Sequence, residues 1–308
     1  VILNLDHDTF PPEFDSRALE RGWERFGEIA GPMDGIDLVV TPDFEDAVRE
    51  RLPDDARPFE YAQDRGALGS AMARVMPRTD GGIDVLIDSR ILSSKRPLGA
   101  PEETFEHEAY HVLLRRRGEC LDFSDRDEWT GGVEDAFLHA AEVACEEFRV
   151  ELPICQRRPS SHYGEFPDLL AALDEEIRTL SWDYQLTAEE PGAVAVISKG
   201  IGELFGSLVT ACGYVAATME GQGLSLPEID APFRRRLLGI EGLSVLEELR
   251  ELPGAEESAD PAEVETLVRA VAGHLGPWLR EIGFAWRFFD GTLHFDVLAP
   301  DRWLARPR

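Results

Sequence analysis

Thr104-Phe105-Glu106-His107-Glu108-Ala109-Tyr110-His111-Val112-Leu113-Leu114 carries the pattern HExxH within a stretch of helical character. Positions four apart share one face of an α-helix, so His107 and His111 can turn both imidazoles toward one metal ion. Glu108 leans to the side of that face, where a carboxylate can take a proton from a metal-activated water. Phe105, Ala109, Val112 and Leu113 supply an apolar side. A proline near the start, acidic residues in the first turn and Arg115-Arg116-Arg117 at the end complement the two helix termini. The reading predicts a helix over 101–117 preceded by a strand over 83–91. The plain alternative is a solvated helix whose His and Glu pair at i,i+4; the apolar side and the strand argue for a divalent metal, zinc by default.

A catalytic zinc needs a third protein ligand and an open position for water. The extended pattern HExxHxxGxxH would require Gly at 114 and His at 117, where the chain has Leu114 and Arg117. The next source is a predicted helix over 132–152, expected to stop at Pro153. Its polar stripe carries Asp135, His139, Glu142 and Glu146, within about 60° of one another around the axis. Antiparallel packing on the HExxH helix would turn that stripe onto the metal. Glu142 is the ligand expected, with Glu146 positioning a histidine. His139 is the rival third ligand, followed by Asp135 and Glu134.

Together, the HExxH stretch 104–114 and Glu142-Val143-Ala144-Cys145-Glu146-Glu147-Phe148-Arg149-Val150-Glu151-Leu152-Pro153 resemble the ImmA/IrrE type of zinc metallopeptidase. There the HExxH helix is followed by a helix reading roughly ExxAxxFAxxLLxP. Cys145 stands where that pattern has Ala, Phe148 matches, and the LLxP end is reduced to Leu152-Pro153. The resemblance implies a gluzincin-like peptide-bond hydrolase holding one Zn2+ per chain through His107, His111 and Glu142, with Glu108 as base. It extends over 83–153 and does not transfer a substrate or a partner.

Around this module the chain reads as α+β and helix-rich. Helix 16–29, strand 35–41 and helix 43–52, capped by Asp43, come first. Strands 70–77 and 83–91 form a hairpin around Thr79-Asp80-Gly81-Gly82. After 154 the pattern is mainly helical (166–180, 193–220, 231–251, 261–282), closing on a β-hairpin, 284–289 with 292–298, around Asp290-Gly291. The expected domains are a zincin-like catalytic module, 1–153, built from a small mixed sheet, the HExxH helix and the glutamate-bearing helix, and a helical region, 154–308. Linkers are expected at 186–192 and 252–261.

The 308 residues include 60 acidic and 31 basic side chains, a formal charge of −29. Such a field repels phosphate backbones and anionic lipid, which excludes nucleic acid and bilayer surfaces as expected partners. With 43% hydrophobic residues the chain is globular in composition. Four cysteines without CxxC spacing fit a reducing, cytoplasmic location, and no basic-then-apolar leader opens the sequence. The long apolar run 193–219 contains Lys199, Glu203 and four glycines, and reads as a buried core helix. Lys199 to Gly206 lacks GxGxxG spacing and a preceding strand, so its glycines read as close packing.

The functional expectation is a zinc-dependent endopeptidase of restricted specificity acting on a peptide or protein. His162 and Tyr163 are the nearest downstream pair able to donate to an oxyanion, and strand 83–91 is expected to hold an extended peptide by edge pairing. Two alternatives stand beside it. One is a metal-dependent small-molecule amide hydrolase or pathway enzyme on the same scaffold. The other is a non-catalytic regulatory protein with a structural metal, whose C-terminal half senses a ligand.

Overall fold

A computed structural model describes residues 14–52, 72–93, 100–121, 123, 132–160, 162–187, 192–289 and 292–298. The chain is α+β and rich in helix, and it divides into two compact units, Val1–Arg117 and Gly118–Arg308. The division falls after the HExxH helix rather than after Pro153. The glutamate-bearing helix packs on helices of the C-terminal unit and is counted with them.

In the first unit, α1 (Ser16–Ala30) starts at Asp15, whose carboxylate accepts the N–H of Arg17 and Ala18 at 3.0 and 3.2 Å. That satisfies two of the four orphan donors of a helix N-terminus. β1 (Ile36–Thr41) and α2 (Phe44–Arg51) follow. Asp43 occupies the cap position of α2, yet its carboxylate makes no capping bond. β2 (Ala73–Pro77) and β3 (Ile83–Asp88) form the expected antiparallel hairpin.

The sheet order is β1-β3-β2, with β1 parallel to β3. β3 is therefore the central strand and is buried along its whole length. Ile83, Val85 and Ile87 meet α1 and the HExxH helix on one face, while Leu86 meets Phe44 and Val48 of α2 on the other. Both edges of β3 are taken by neighbours, so it cannot pair with a substrate peptide. The strand also ends three residues earlier than expected, and Ser89–Leu92 turn into a 3-10 helix capped by Asp88.

The second unit is built on α4 (Val133–Arg157), α5 (His162–Thr187), α6 (Ala193–Gln222) and α9 (Pro261–Ile282). α4 runs through Pro153 instead of stopping there. A proline lacks the N–H that would bond the carbonyl four residues back. Here the backbone N–H of Ala255 takes the Arg149 carbonyl at 2.8 Å in its place. The segment 252–260 is thus no free linker. It also holds Arg149 through the Pro253 carbonyl at 3.0 Å, and Ser258 donates to Glu119 at 3.2 Å.

α6 is the one helix among the described residues long and apolar enough to cross a membrane by length and composition. It packs instead on α4 and α5 and contributes core residues from Ile197 to Met219. Gly200 and Gly213 allow close approach, since a Cβ would lie 2.7 Å from Leu180 at the first and 2.5 Å from the Ala144 carbonyl at the second, whereas a Cβ on Gly206 would meet nothing within 4 Å. The expected helix 231–251 is broken into a single helical turn, α7 (Ala231–Phe233), a π segment Arg234–Leu238 and α8 (Glu241–Leu249). Trp278 explains the break in part, since its indole donates to the Leu237 carbonyl at 2.6 Å and Gly242 lies against its ring. The chain closes on the antiparallel pair β4 (Phe284–Phe289) and β5 (Thr292–Val297). The turn Asp290-Gly291 and most of linker 186–192 lie outside the described residues.

Candidate metal centre

The HExxH residues lie on α3 (Ala100–Arg116). Along this helix Glu102, Phe105, Glu106 and Ala109 form one stripe at i, i+3, i+4 and i+7, and this stripe faces α1. Phe105 and Ala109 are buried in the core shared with α1 and the sheet, while Arg21 and Arg25 of α1 bond Glu102 and Glu106 at 2.7 and 2.5 Å. His107 and His111 lie roughly opposite that stripe, about 170° round the axis.

The two imidazoles are half-buried, and their Nε2 atoms face each other at 3.0 Å. The rings are inclined at 68° with centroids 4.7 Å apart. Metal–nitrogen bonds of about 2.0–2.1 Å in a tetrahedral site would set two ligand nitrogens roughly 3.3 Å apart. The 3.0 Å separation is a little shorter than that. With one ring protonated on Nε2, the same approach is a hydrogen bond between imidazoles. Glu108 is buried, 5% exposed.

The remaining expected site residues belong to the C-terminal unit. Glu142 lies on α4 with its side chain 12% exposed, and its Oε2 is 3.9 Å from Nδ1 of His139, whose own side chain is 62% exposed. His139 thus faces solvent. Asp135 turns back to the start of α4 and accepts the Gly132 N–H at 3.1 Å, which is a capping role; Glu134 is exposed. Glu146 is half-buried on the same side as Glu142.

Glu147 was not among the expected residues. It is the more deeply buried carboxylate, 9% exposed, in a stripe with Val143, Val150 and Ile154. That stripe lies about 60–140° round the axis from the face where α4 meets α6 and α9 through Ala144, Cys155 and Phe137. An acid set in an otherwise apolar stripe is legible in sequence, but the polar stripe beside it is the stronger pattern.

His162 opens α5, and Tyr163 follows it. The Tyr163 hydroxyl donates to the Ser225 carbonyl at 2.8 Å within the C-terminal unit. Cys145 and Cys155 are buried, and burial pushes the Cys145 thiol far above its ordinary range, so neither is placed to act as a nucleophile. The basic clusters are engaged as well: Arg116 donates to the Ala30 carbonyl at 2.7 Å and Arg236 pairs with Asp174 at 2.7 Å. His274 meets Glu241 at 2.6 Å. No protein-family model matches the chain, and neither does any curated protein or solved structure.

Proposed function

We propose that the protein is a zinc-dependent hydrolase, most simply an endopeptidase of restricted specificity acting on a peptide or protein. The observation that carries this reading is the convergence of the His107 and His111 Nε2 atoms on one side of α3, with the buried carboxylate of Glu108 between them in sequence. A site that only holds structure needs no such base. Zinc, when bound, polarises a carbonyl and lowers the pKa of a water.

The protein's own residues then have separate tasks. His107 and His111 hold the ion, and a glutamate of α4 supplies the third ligand. The resemblance to ImmA/IrrE-type peptidases assigns that glutamate to Glu142. Glu147 is the competing carboxylate of the same helix, and it is the more buried of the two. Glu108 accepts the proton of the attacking water and passes it to the leaving nitrogen. His162 and Tyr163 are the proposed oxyanion donors, and Tyr163 must exchange the Ser225 carbonyl for substrate to serve. Four free thiols agree with the cytoplasmic location proposed for the chain.

Metal content by inductively coupled plasma mass spectrometry tests the reading on wild type, Glu142→Ala, Glu147→Ala and Glu108→Gln. About one zinc per chain in wild type and in E108Q is expected, with loss in one glutamate variant naming the third ligand. A wild-type chain that takes up no zinc when it is supplied overturns the proposal. A peptide-library digest then separates an enzyme, which loses turnover in E108Q, from a regulatory protein, which has none to lose.

A further inference from the structure

α1 and α3 run parallel, and two ion pairs tie them rung by rung. Arg21 reaches Glu102 at 2.7 Å, and one turn on Arg25 reaches Glu106 at 2.5 Å. The outer rung is open to solvent, with the Arg21 side chain 51% exposed. The inner rung is buried at its carboxylate end, where the Glu106 side chain is 1% exposed, while the Arg25 side chain is 34% exposed. Arg25 is held a second time by Glu28 at 2.8 Å, and its two carboxylate partners keep it firmly protonated.

Between the rungs the helices touch without clearance. The Phe105 ring occupies the space where a Cβ on Gly22 would sit, 2.2 Å from it, and Trp23 packs edge-on to the same ring. At the far end Arg116 closes the seam on the Ala30 carbonyl at 2.7 Å. A slide of α3 by one residue, or a turn of a few tens of degrees, would break both ion pairs and drive Phe105 into the α1 backbone.

This seam lies on the side of α3 opposite His107 and His111. An ion pair whose carboxylate is buried adds little net stability over a well-packed apolar pair, because desolvating that charge offsets much of the attraction. What it adds is a unique register, since only one setting of the helices pairs both charges. We propose that Arg25, through Glu106, is a positioning residue of the metal centre: the i,i+4 spacing within α3 sets how the two imidazoles converge, and the Arg25–Glu106 rung sets the rotation and height of α3 from behind and so the direction in which the pair faces. The inference rests on the zinc reading above, but its geometry lies wholly within the first unit.

The test compares the full-length wild type with Arg25→Met, Arg25→Lys and Leu19→Ala. Leu19 is buried on α1 in the same core, so L19A loosens the unit without removing either ion pair. Zinc affinity is read by chelator competition, ligand geometry by the visible absorption of the Co2+-loaded chain, and the metal-free imidazoles by their 15N shifts.

R25M is expected to weaken zinc about 10-fold or more, to alter the cobalt spectrum at saturating metal and to move the His107 and His111 resonances. R25K should restore most of each, and L19A should lower the melting temperature while leaving all three unchanged. Wild-type affinity, spectrum and shifts in R25M would overturn the proposal. Changes in L19A as large as those in R25M would also overturn it, by showing general loosening. Should R25M fail to fold, Glu106→Gln keeps the side-chain shape without the charge and is read in the same way. A wild-type chain that binds no metal sinks the zinc reading alone, because the imidazole shifts still decide whether Arg25 orients the histidines.

Discussion

Single side chains decide how reactive this protein is. Burial raises the thiols of Cys145 and Cys212 far above their ordinary range, and Cys155 is 1% exposed. Only the thiolate attacks a disulfide reagent. Titration with such a reagent at pH 8 should therefore modify Cys120, which is half-buried, and reach the other three only after denaturant is added. Gly22 makes a second residue-scale prediction. Gly22→Ala forces a methyl into the Phe105 ring and should cost about 1–3 kcal/mol, read as a lower denaturation midpoint. Asp80, at the β2–β3 turn, accepts the Gly82 N–H and then Arg78, and both hold its carboxyl below the usual range. The sign follows: its contribution is present above the ordinary aspartate pKa and fades as pH falls through the lowered one. Asp80→Ala should thus weaken the fold at pH 7 and make no difference at strongly acid pH. Glu108 was legible from its place in HExxH alone, but Arg25 was not, because its partner is 81 residues away.

At the scale of the element, α4 shows how far local rules reach. Its amphipathic pattern and start were readable, whereas its end was not. Pro153 reads as a stop, and the helix passes it because a backbone N–H distant in sequence takes the freed Arg149 carbonyl. Ala255→Pro removes that donor. It should destabilise the C-terminal unit by about 1–3 kcal/mol, measurable by chemical denaturation. The same stretch holds the buried pair Arg149–Glu119, with side chains 2% and 1% exposed. Arg149→Met strands a buried carboxylate and should cost about 3–5 kcal/mol, while the double change with Glu119→Met should recover much of that loss. β3 illustrates the complementary case: its apolar residues mark a strand, but only the partners on both sides make it central.

For the whole molecule, the two compact units and the acidic charge are the governing facts. α4, α5, α6, α8 and α9 pack on one another within Gly118–Arg308. A fragment covering that unit should give a strong helical circular-dichroism signal and a single cooperative melt. A broad, non-cooperative melt would count against its independence. A net charge of −29 implies self-repulsion in the folded state. Raising the salt from about 10 mM to about 0.15 M shortens the screening length roughly from 30 to 8 Å and should raise the melting temperature of the full chain.

The sequence by itself determined what depends on neighbours along the chain. It settled the α+β, helix-rich class, the helix that carries His107, Glu108 and His111, the 73–88 hairpin and the closing strand pair, because periodicity, caps and turn residues act within a few positions. Tertiary structure decided what depends on distant partners. It placed β3 between two strands, carried α4 past Pro153, divided the chain after Arg117 and set Arg25 behind the histidines. Each of those outcomes turns on a hydrogen bond, an ion pair or a packed ring supplied from elsewhere in the chain, and no local pattern encodes the identity of a distant partner.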